Sequence, residues 1–426
     1  MKRFTSALAA AVMLAGAAPA VAPLAQAQPL APPQNMQLPD QVPLSLPNVQ
    51  SHVTGSSTGN VIKQHPGAPV PQPFSTDWLA GYVSDISAYK YGVYLEINRL
   101  FPYLKNQRPD VMRANMDIVS RVNNEAASNP ALIKTAQRDA VASGEELLAE
   151  LSPALGKEFG KAFRDALAEN RLPKTQYLLG NGYLARAGGV ASSTSIEKLV
   201  YDYPRPFVAQ PQRIKRYEIP GRKDSIYPSS KSFPSGHTNQ ATWVTALLAY
   251  MVPEVAPQLH YRGAEAGYSR MVLGVHYPLD VIGGRMSGQA AAADRLNDPK
   301  MKHALNQARD ELRREIEWRT GKPIRQLVQQ DTPYVSTQFA VDQYTRWMEH
   351  DLPRIYRLNA PMITPKAAPV LLESSYPNLN WGQRSEVIRR TAGAAGNPLD
   401  WQGPEGSWQR INLAKAAAES PTVVRK

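Results

Sequence analysis

Apolar residues recur at helical spacing along most of the chain from Trp78 onward. Residues 118–124, 131–151 and 157–167 each place apolar side chains three or four positions apart, the period of one face of an α-helix. Residues 241–252 are apolar almost throughout, which is typical of a helix buried on all sides, and they are too few to span a membrane. Alternating, strand-like patterns are scarce. The sequence therefore predicts an all-α protein built as a multi-helix bundle.

Two segments precede the helical region. Residues 1–27 begin with a basic pair, continue with an apolar stretch and end on small residues, which is the layout of a secretory signal peptide. Two prolines within that stretch leave too short a span for a membrane anchor. Residues 28–75 are rich in Pro, Gln, Ser and Gly and predict a flexible linker or an irregular strap. We therefore expect an exported protein, either periplasmic or secreted.

The helical region is predicted to form one domain over residues 76–320. It ends where Gly321, Lys322 and Pro323 interrupt the last helical pattern. Residues 321–426 then form an extension of unknown role, expected to be irregular, with no second set of chemical motifs. This extension either packs on the helical domain or binds a surface or a partner, and the sequence leaves both open.

Charge and cysteine content narrow the class of protein. The chain has 48 Lys and Arg against 36 Asp and Glu, a formal net charge of +12, which favours anionic substrates or surfaces. It has no cysteine, so a packed core rather than disulfide bonds must hold an exported chain of this size. Beyond the signal, no apolar run reaches the ~18 residues of a membrane helix. We expect no transmembrane segment once the signal is removed.

Almost every residue suited to chemistry lies between residues 198 and 280. The chain has three clusters there: Lys198 with Arg205-Pro206; Pro234-Ser235-Gly236-His237; and Ser269-Arg270 with Gly274, His276 and Asp280. They supply three cations, two imidazoles, one carboxylate and a Ser-Gly turn, which together can hold a tetrahedral dianion and transfer its central atom. No cluster of metal ligands accompanies them in the sequence, so we expect neither a metal nor another cofactor.

Side chains and backbone amides would bind the phosphoryl group. Lys198, Arg205 and Arg270 provide fixed positive charge, two of them as planar guanidinium groups that bind two oxygens at once. Ser235 and Gly236 precede the apolar helix, so the amides there would lie at a helix N-terminus, where anions are stabilised. These five residues are the predicted phosphate-binding set.

The two histidines divide the catalytic work. His276 and Asp280 are four residues apart at the start of a predicted helix, so the carboxylate can take the Nδ1 proton and leave Nε2 free to attack phosphorus. His237 is then left to protonate the leaving oxygen. The predicted catalytic set is His276, His237 and Asp280.

The pH dependence follows from the same assignment. His237 must be protonated to release the leaving group, and a free imidazole titrates near pH ~6.5, so the sequence predicts an acidic optimum. We expect Lys198 and the two arginines to stay charged through neutrality. The direction of the shift in the pKa of His237 stays open, because nearby cations lower it and a bound dianion raises it.

Each cluster alone has an ordinary explanation. A basic helix end before a proline gives the first cluster by chance, and a His and an Asp four apart are more often a surface pair on a helix. Ser235 or Thr238 could simply cap a helix. All three clusters in order, within residues 198–280, favour a functional site.

In this order and spacing the clusters resemble the type 2 phosphatidic acid phosphatase superfamily, which includes bacterial class A non-specific acid phosphatases and vanadium haloperoxidases. The short distances between them are most similar to the soluble acid phosphatases. The resemblance implies a helical bundle of that type, a small phosphorylated substrate and no nucleic-acid partner. One departure is Phe233, where acid phosphatases usually carry Tyr; we expect it at most to alter the pocket wall.

Three functions remain open at this point. The first is an acid phosphatase that forms a phosphohistidine, for which vanadate would be an inhibitor. The second is a haloperoxidase that holds vanadate as its cofactor, with His276 as the protein ligand. The third is a phosphate-binding protein without catalysis. The short spacing favours the first, while the physiological substrate, the acceptance of lipid phosphates and the oligomeric state stay open.

Residues 206–233 form a proline-punctuated segment between the first two clusters. It is strongly basic, and its basic residues are Arg213, Lys215, Arg216, Arg222, Lys223 and Lys231. A solvated surface loop explains this composition as well as a basic rim that attracts anionic substrates. Any substrate preference is expected to depend on this segment and on the walls around Phe233.

Overall fold

The structure is a computed structural model, and it describes residues 61–74, 93–180, 187 and 194–419. The predicted signal peptide at residues 1–27, and all of the predicted linker except 61–74, lie outside the described residues. Within the described part the regular elements are helices, with no β-strand. The prediction of an all-α protein is confirmed.

Seventeen α-helices are found in the described part of the chain. The first nine precede residue 236: α1 (Val93–Ile97), α2 (Phe101–Gln107), α3 (Pro109–Glu125), α4 (Pro130–Val141), α5 (Glu145–Leu151), α6 (Lys157–Ala168), α7 (Pro173–Leu179), α8 (Ser195–Tyr201) and α9 (Pro206–Ala209). The others are α10 (Gly236–Met251), α11 (Ala256–Val272), α12 (Pro278–Asn297), α13 (Pro299–Thr320), α14 (Ile324–Gln330), α15 (Thr337–Trp347), α16 (Trp381–Thr391) and α17 (Leu413–Ala418). None of them is both long and apolar enough to cross a membrane.

Local sequence sets the helix boundaries. Asn129 begins α4 because its side chain accepts the amide of Leu132 at 3.1 Å, and a proline occupies the first turn. Asp298 begins α13 in the same way, accepting from the amide of Met301 at 2.7 Å. The helical pattern at residues 131–151 is divided into α4 and α5 by Gly144, whose φ of +59° favours glycine.

Helix α10 lies at the centre of the core and packs against α11 and α12. Nearly all of its side chains are buried, as the apolar pattern predicted. Two glycines of α12 let the backbones approach closely: a Cβ on Gly284 would lie 2.5 Å from the carbonyl oxygen of Ser235, and one on Gly288 would lie 2.6 Å from that of Asn239. This contact sets the first turn of α10 against the first half of α12.

A buried charge cluster joins α4 to α11. The Asp139 carboxylate accepts hydrogen bonds from the Arg262 guanidinium and from the Ser269 hydroxyl, the latter at 2.6 Å. Asp139 and Arg262 are both almost fully buried, so each neutralises a charge that would otherwise be costly in the core. The cluster fixes the end of α11, where Arg270 follows Ser269.

The extension after residue 320 packs on the helical core. Helices α15 and α17 lie against α11, and Trp347 stacks on Tyr268 with ring centroids 4.8 Å apart. Arg285 of α12 donates to the carbonyl oxygens of Gln409 at 2.9 Å and Ile411 at 3.3 Å. Most of its described part, residues 321–419, lies outside the four short α-helices. Its packing depends on contacts between residues far apart in sequence.

Residues 61–74 form an irregular strap against α6 and α13. The buried guanidinium of Arg171 donates to the carbonyl oxygens of Lys63 at 2.8 Å and Pro69 at 2.7 Å. The same group donates to both carboxylate oxygens of Glu315, at 2.6 and 2.8 Å. His65 contacts Glu169 through Nε2 at 2.9 Å.

Candidate active site

Five helices bring the three sequence clusters together. Lys198 lies on α8 and Arg205 at the start of α9, while Ser235, Gly236 and His237 form the start of α10. Arg270 lies in the last turn of α11, and His276 and Asp280 flank the start of α12. The Ser235 amide donates to the Asp280 carbonyl oxygen at 2.9 Å, which joins the second cluster to the third.

His276 and Asp280 form a buried pair, 1% and 0% exposed. The Nδ1 of His276 lies 3.1 Å from Oδ2 of Asp280, and its Nε2 lies 2.9 Å from Nη1 of Arg205. A guanidinium can only donate, so Nε2 is the acceptor and Nδ1 carries the proton. The ring is thus held as the neutral tautomer, with its Nε2 lone pair directed at the first cluster.

The Asp280 carboxylate has two further donors. Its Oδ2 accepts from the Tyr277 amide at 2.9 Å and from the Ser232 hydroxyl. Burial raises the pKa of Asp280, while the Ser232 hydroxyl and the Tyr277 amide act in the opposite direction. Sequence reasoning did not select Ser232. The sequence shows only that a polar residue directly precedes the Phe233-Pro234-Ser235 turn. Such a residue is too common to mark Ser232 as part of the site.

The segment just before that turn holds two of the cations. Arg205 donates to the Ser230 carbonyl oxygen at 2.6 Å and to the Ser230 hydroxyl at 2.9 Å. Lys198 Nζ donates to the carbonyl oxygens of Lys231 at 2.8 Å and Ser232 at 3.0 Å. Both cations are therefore oriented by the backbone before a ligand arrives.

Lys198 departs from the expectation that it stays charged through neutrality. Burial, and then the positive charge of Arg205, lowers the pKa of Lys198 to about 7. The expectation was wrong because the sequence does not reveal that the ammonium group is partly buried beside another cation.

His237 is the more accessible of the two site histidines. Its Nε2 lies 3.3 Å from the carbonyl oxygen of Ala140, at the end of α4. The charge of Arg270, then burial, and then Arg205 hold the pKa of His237 well below its ordinary value. The sequence left open the direction in which the pKa of His237 is shifted. Without a bound dianion, that pKa is lowered.

Ser235 is the N-cap of α10. Its hydroxyl oxygen accepts from the Thr238 amide at 3.3 Å and from the Thr238 hydroxyl at 2.8 Å. Gly236 occupies the first position of the helix and is buried. The first backbone amides of a helix have no acceptor within the helix. Capping by Ser235 and anion binding by amides of the same turn are therefore compatible.

Gly274 shapes the turn between Arg270 and His276. Its φ is +65°, and a Cβ there would come within 2.3 Å of the Ile214 side chain. The Val275 amide donates to the Arg270 carbonyl oxygen at 3.1 Å, which closes the turn. A glycine is required for both conformation and space.

Phe233 does not line a pocket. It is fully buried and stacks on Phe101, with ring centroids 3.5 Å apart and planes 7° from parallel. We expected it at most to alter the pocket wall, and its ring instead points into the core between α2 and α12. A Cβ on Gly283 of α12 would lie 2.8 Å from this ring.

In the basic segment at residues 206–233, some cations contact neighbouring side chains and others are exposed to solvent. Arg213 pairs with Asp117 at 2.8 Å, and the Arg216 guanidinium lies 4.9 Å from the centroid of the Phe207 ring. Lys223 and Arg222 are exposed. Part of the segment therefore serves the local fold, and part presents charge to solvent.

Among the described residues, no group of three or more His, Asp or Glu side chains is arranged to hold a metal ion. Positive charge at the site is supplied by Lys198, Arg205 and Arg270.

The region that contains the site is similar to known proteins. Residues 177–297 match the PAP2 superfamily. The non-specific acid phosphatase of Salmonella typhi is 33% identical over 181 residues, which are 42% of this chain and 66% of that protein. The non-specific acid phosphatase of Providencia stuartii is 31% identical over 176 residues, 40% of this chain and 66% of that protein.

A shorter match is found with the undecaprenyl-diphosphatase BcrC of Bacillus subtilis, 36% identical over 85 residues, which are 20% of this chain and 39% of that protein. The chain thus spans just under two thirds of the length of the acid phosphatases that it matches. The matched residues 177–297 enclose the whole site from Lys198 to Asp280. This chain therefore carries a PAP2 superfamily domain at residues 177–297, and that domain contains all three clusters.

Proposed function

We propose that the protein is an acid phosphatase that hydrolyses small phosphomonoesters through a phosphohistidine on His276, without a metal ion. The observation that carries the proposal is the buried His276–Asp280 pair, with the Nε2 lone pair 2.9 Å from Arg205. A neutral imidazole whose Nε2 lone pair faces the phosphate-binding cations is a nucleophile, and its carboxylate partner stabilises the positive charge that the ring acquires on attack.

In the first step Lys198, Arg205 and Arg270 bind the phosphoryl oxygens, and Nε2 of His276 attacks phosphorus. The bond between phosphorus and the ester oxygen breaks, and its electron pair leaves with that oxygen. His237, protonated in the substrate complex, donates a proton to the departing alkoxide. The products are an alcohol and a phosphohistidine, with neutral His237.

In the second step water attacks the phosphohistidine. Neutral His237 accepts a proton from that water, the bond between phosphorus and Nε2 breaks, and inorganic phosphate forms. The same cations stabilise the equatorial oxygens in both steps, since charge develops at the same place. His276 returns to its neutral form.

A further observation supports the proposal. Two relatives that match about two fifths of the chain are named non-specific acid phosphatases. In the proposed complex the three cations bind the phosphoryl group and not the leaving group, so we expect several kinds of monoester to fit the same site. We therefore assign a small phosphorylated substrate, with export supported by the signal-like pattern of residues 1–27.

A phosphomonoester assay with wild type and His276→Ala tests the function. We expect release of phosphate by wild type and its loss in the variant, with a circular dichroism spectrum that shows the variant to be folded. Bromide oxidation by peroxide in the presence of vanadate, without phosphatase activity, would instead assign a haloperoxidase. Phosphate binding without turnover of any ester would assign a binding protein.

A further inference from the structure

Ser232 makes one polar contact to each of three parts of the site. Its hydroxyl donates to Oδ2 of Asp280, and its carbonyl oxygen accepts from Lys198 Nζ at 3.0 Å. Its amide donates to the carbonyl oxygen of Tyr203 at 2.7 Å, two residues before Arg205. The residue is fully buried. A single serine therefore connects the segments that carry the first and third clusters.

The contact with Asp280 differs from the other two that this carboxylate oxygen makes. His276 and Tyr277 belong to the same turn as Asp280, so their contacts at 3.1 and 2.9 Å move together with it. Ser232 approaches from another segment of the chain, which also binds Lys198. Among the described residues that contact this oxygen, Ser232 is the one that lies outside the turn, and it ties the carboxylate to the segment that binds Lys198.

We infer that Ser232 is a positioning residue for phosphoryl transfer, holding the Asp280 carboxylate and, through it, the His276 ring in register with Lys198. The inference rests on the proposed function, in which Nε2 of His276 attacks phosphorus. A nucleophile misplaced by a fraction of an ångström reacts more slowly although the substrate still binds. Ser232 should therefore affect the rate of transfer and not phosphate affinity.

Ser232→Ala is the direct test. We expect kcat for an aryl phosphate to fall by about tenfold, the effect of losing one hydrogen bond to a charged group. The KM and the inhibition constant of inorganic phosphate should stay within about twofold, since Lys198 binds the Ser232 backbone and not its hydroxyl. Ser225→Ala is the matched control, because that hydroxyl donates to the exposed Glu218 in the same segment, at 2.7 Å.

A double-mutant cycle with Asp280→Ala separates positioning from a general structural effect. If Ser232 acts through the carboxylate, its removal should have almost no further effect on kcat in the Asp280→Ala background. An equal fall in both backgrounds, an unchanged kcat in Ser232→Ala, or a parallel rise in the inhibition constant of phosphate would overturn the inference. Full activity of His276→Ala would contradict the proposed function itself, which is a distinguishable outcome.

Discussion

At the scale of single residues, the proposed mechanism makes His237 the group that controls the pH range of the first chemical step. The group must be protonated to act, so activity is lost as pH rises through its pKa. Arg270, burial and Arg205 hold that pKa well below the ordinary value in the free enzyme, whereas a bound dianion raises it. Because kcat/KM reports the free enzyme and kcat the complex, the alkaline limb of kcat/KM should lie at lower pH than that of kcat.

The measurement is the pH dependence of kcat and of kcat/KM for an alkyl phosphate. In His237→Ala, an aryl phosphate whose leaving group needs no proton should lose much less activity than the alkyl phosphate. A kcat/KM that peaks above about pH ~8, where free imidazole is almost wholly deprotonated, would remove the general-acid role. So would equal losses for both substrates.

Lys198 gives a second residue-scale prediction. With its pKa at about 7, its charge is lost as pH rises through neutrality, so KM should increase there. Arginine stays charged over this range. We expect the KM of Lys198→Arg to vary less with pH between about 6 and 8 than that of wild type, whatever its absolute value. Lys223→Arg, an exposed site in the basic segment, is the control and should follow wild type. Parallel KM profiles for Lys198→Arg and wild type would show that Lys198 does not titrate there.

Residue types and spacing were enough to predict eight site residues, because a site for phosphoryl transfer needs a restricted set of side chains, and their roles stay a prediction. They could not select Ser232 or Asp139, whose roles come from contacts with residues distant in sequence. They also gave no indication that Lys198 is partly buried beside Arg205. Burial next to a second cation is a property of the folded chain.

At the scale of elements, the close contact of α10 with α12 aligns the second and third clusters. A Cβ at Gly288 would lie 2.6 Å from both the Asn239 carbonyl oxygen and the Thr242 Cβ. We therefore expect Gly288→Ala to lower the free energy of unfolding by about 1–3 kcal/mol, the usual cost of overpacking. Urea denaturation measures this change.

Gly382→Ala is the matched control for that prediction. Gly382 lies in α16, and the nearest atom to its added Cβ is 3.4 Å away, an ordinary contact. Alanine there should leave the stability unchanged or raise it by up to about 1 kcal/mol, because it favours the helix. Equal effects of the two substitutions would mean that the α10–α12 contact is not tightly packed.

Helical periodicity predicted most core helices, and the apolar run at 241–252 correctly indicated a buried one. It could not predict how the helices pack. The segment after residue 320 has weak periodicity because its short helices bury only small faces. Its position depends on partners such as Arg285, more than a hundred residues from the carbonyl groups that it binds.

At the scale of the whole molecule, the distribution of charge predicts independence from metal ions. Lys198, Arg205 and Arg270 surround the site, and side-chain cations can stabilise a transferring phosphoryl group without a divalent ion. We expect EDTA to leave kcat unchanged. A metal-dependent phosphatase in the same buffer is the control. Loss of activity that zinc or magnesium restores would contradict the proposed chemistry.

The central claim is the phosphohistidine on His276, and rapid-quench trapping tests it most directly. Wild type mixed with a substrate labelled in its phosphoryl group, then quenched in base to preserve an acid-labile bond between phosphorus and nitrogen, should carry label on the peptide that contains His276. His276→Ala should carry none and release no phosphate. An unlabelled wild type that turns over normally, or a fully active His276→Ala, would contradict the account.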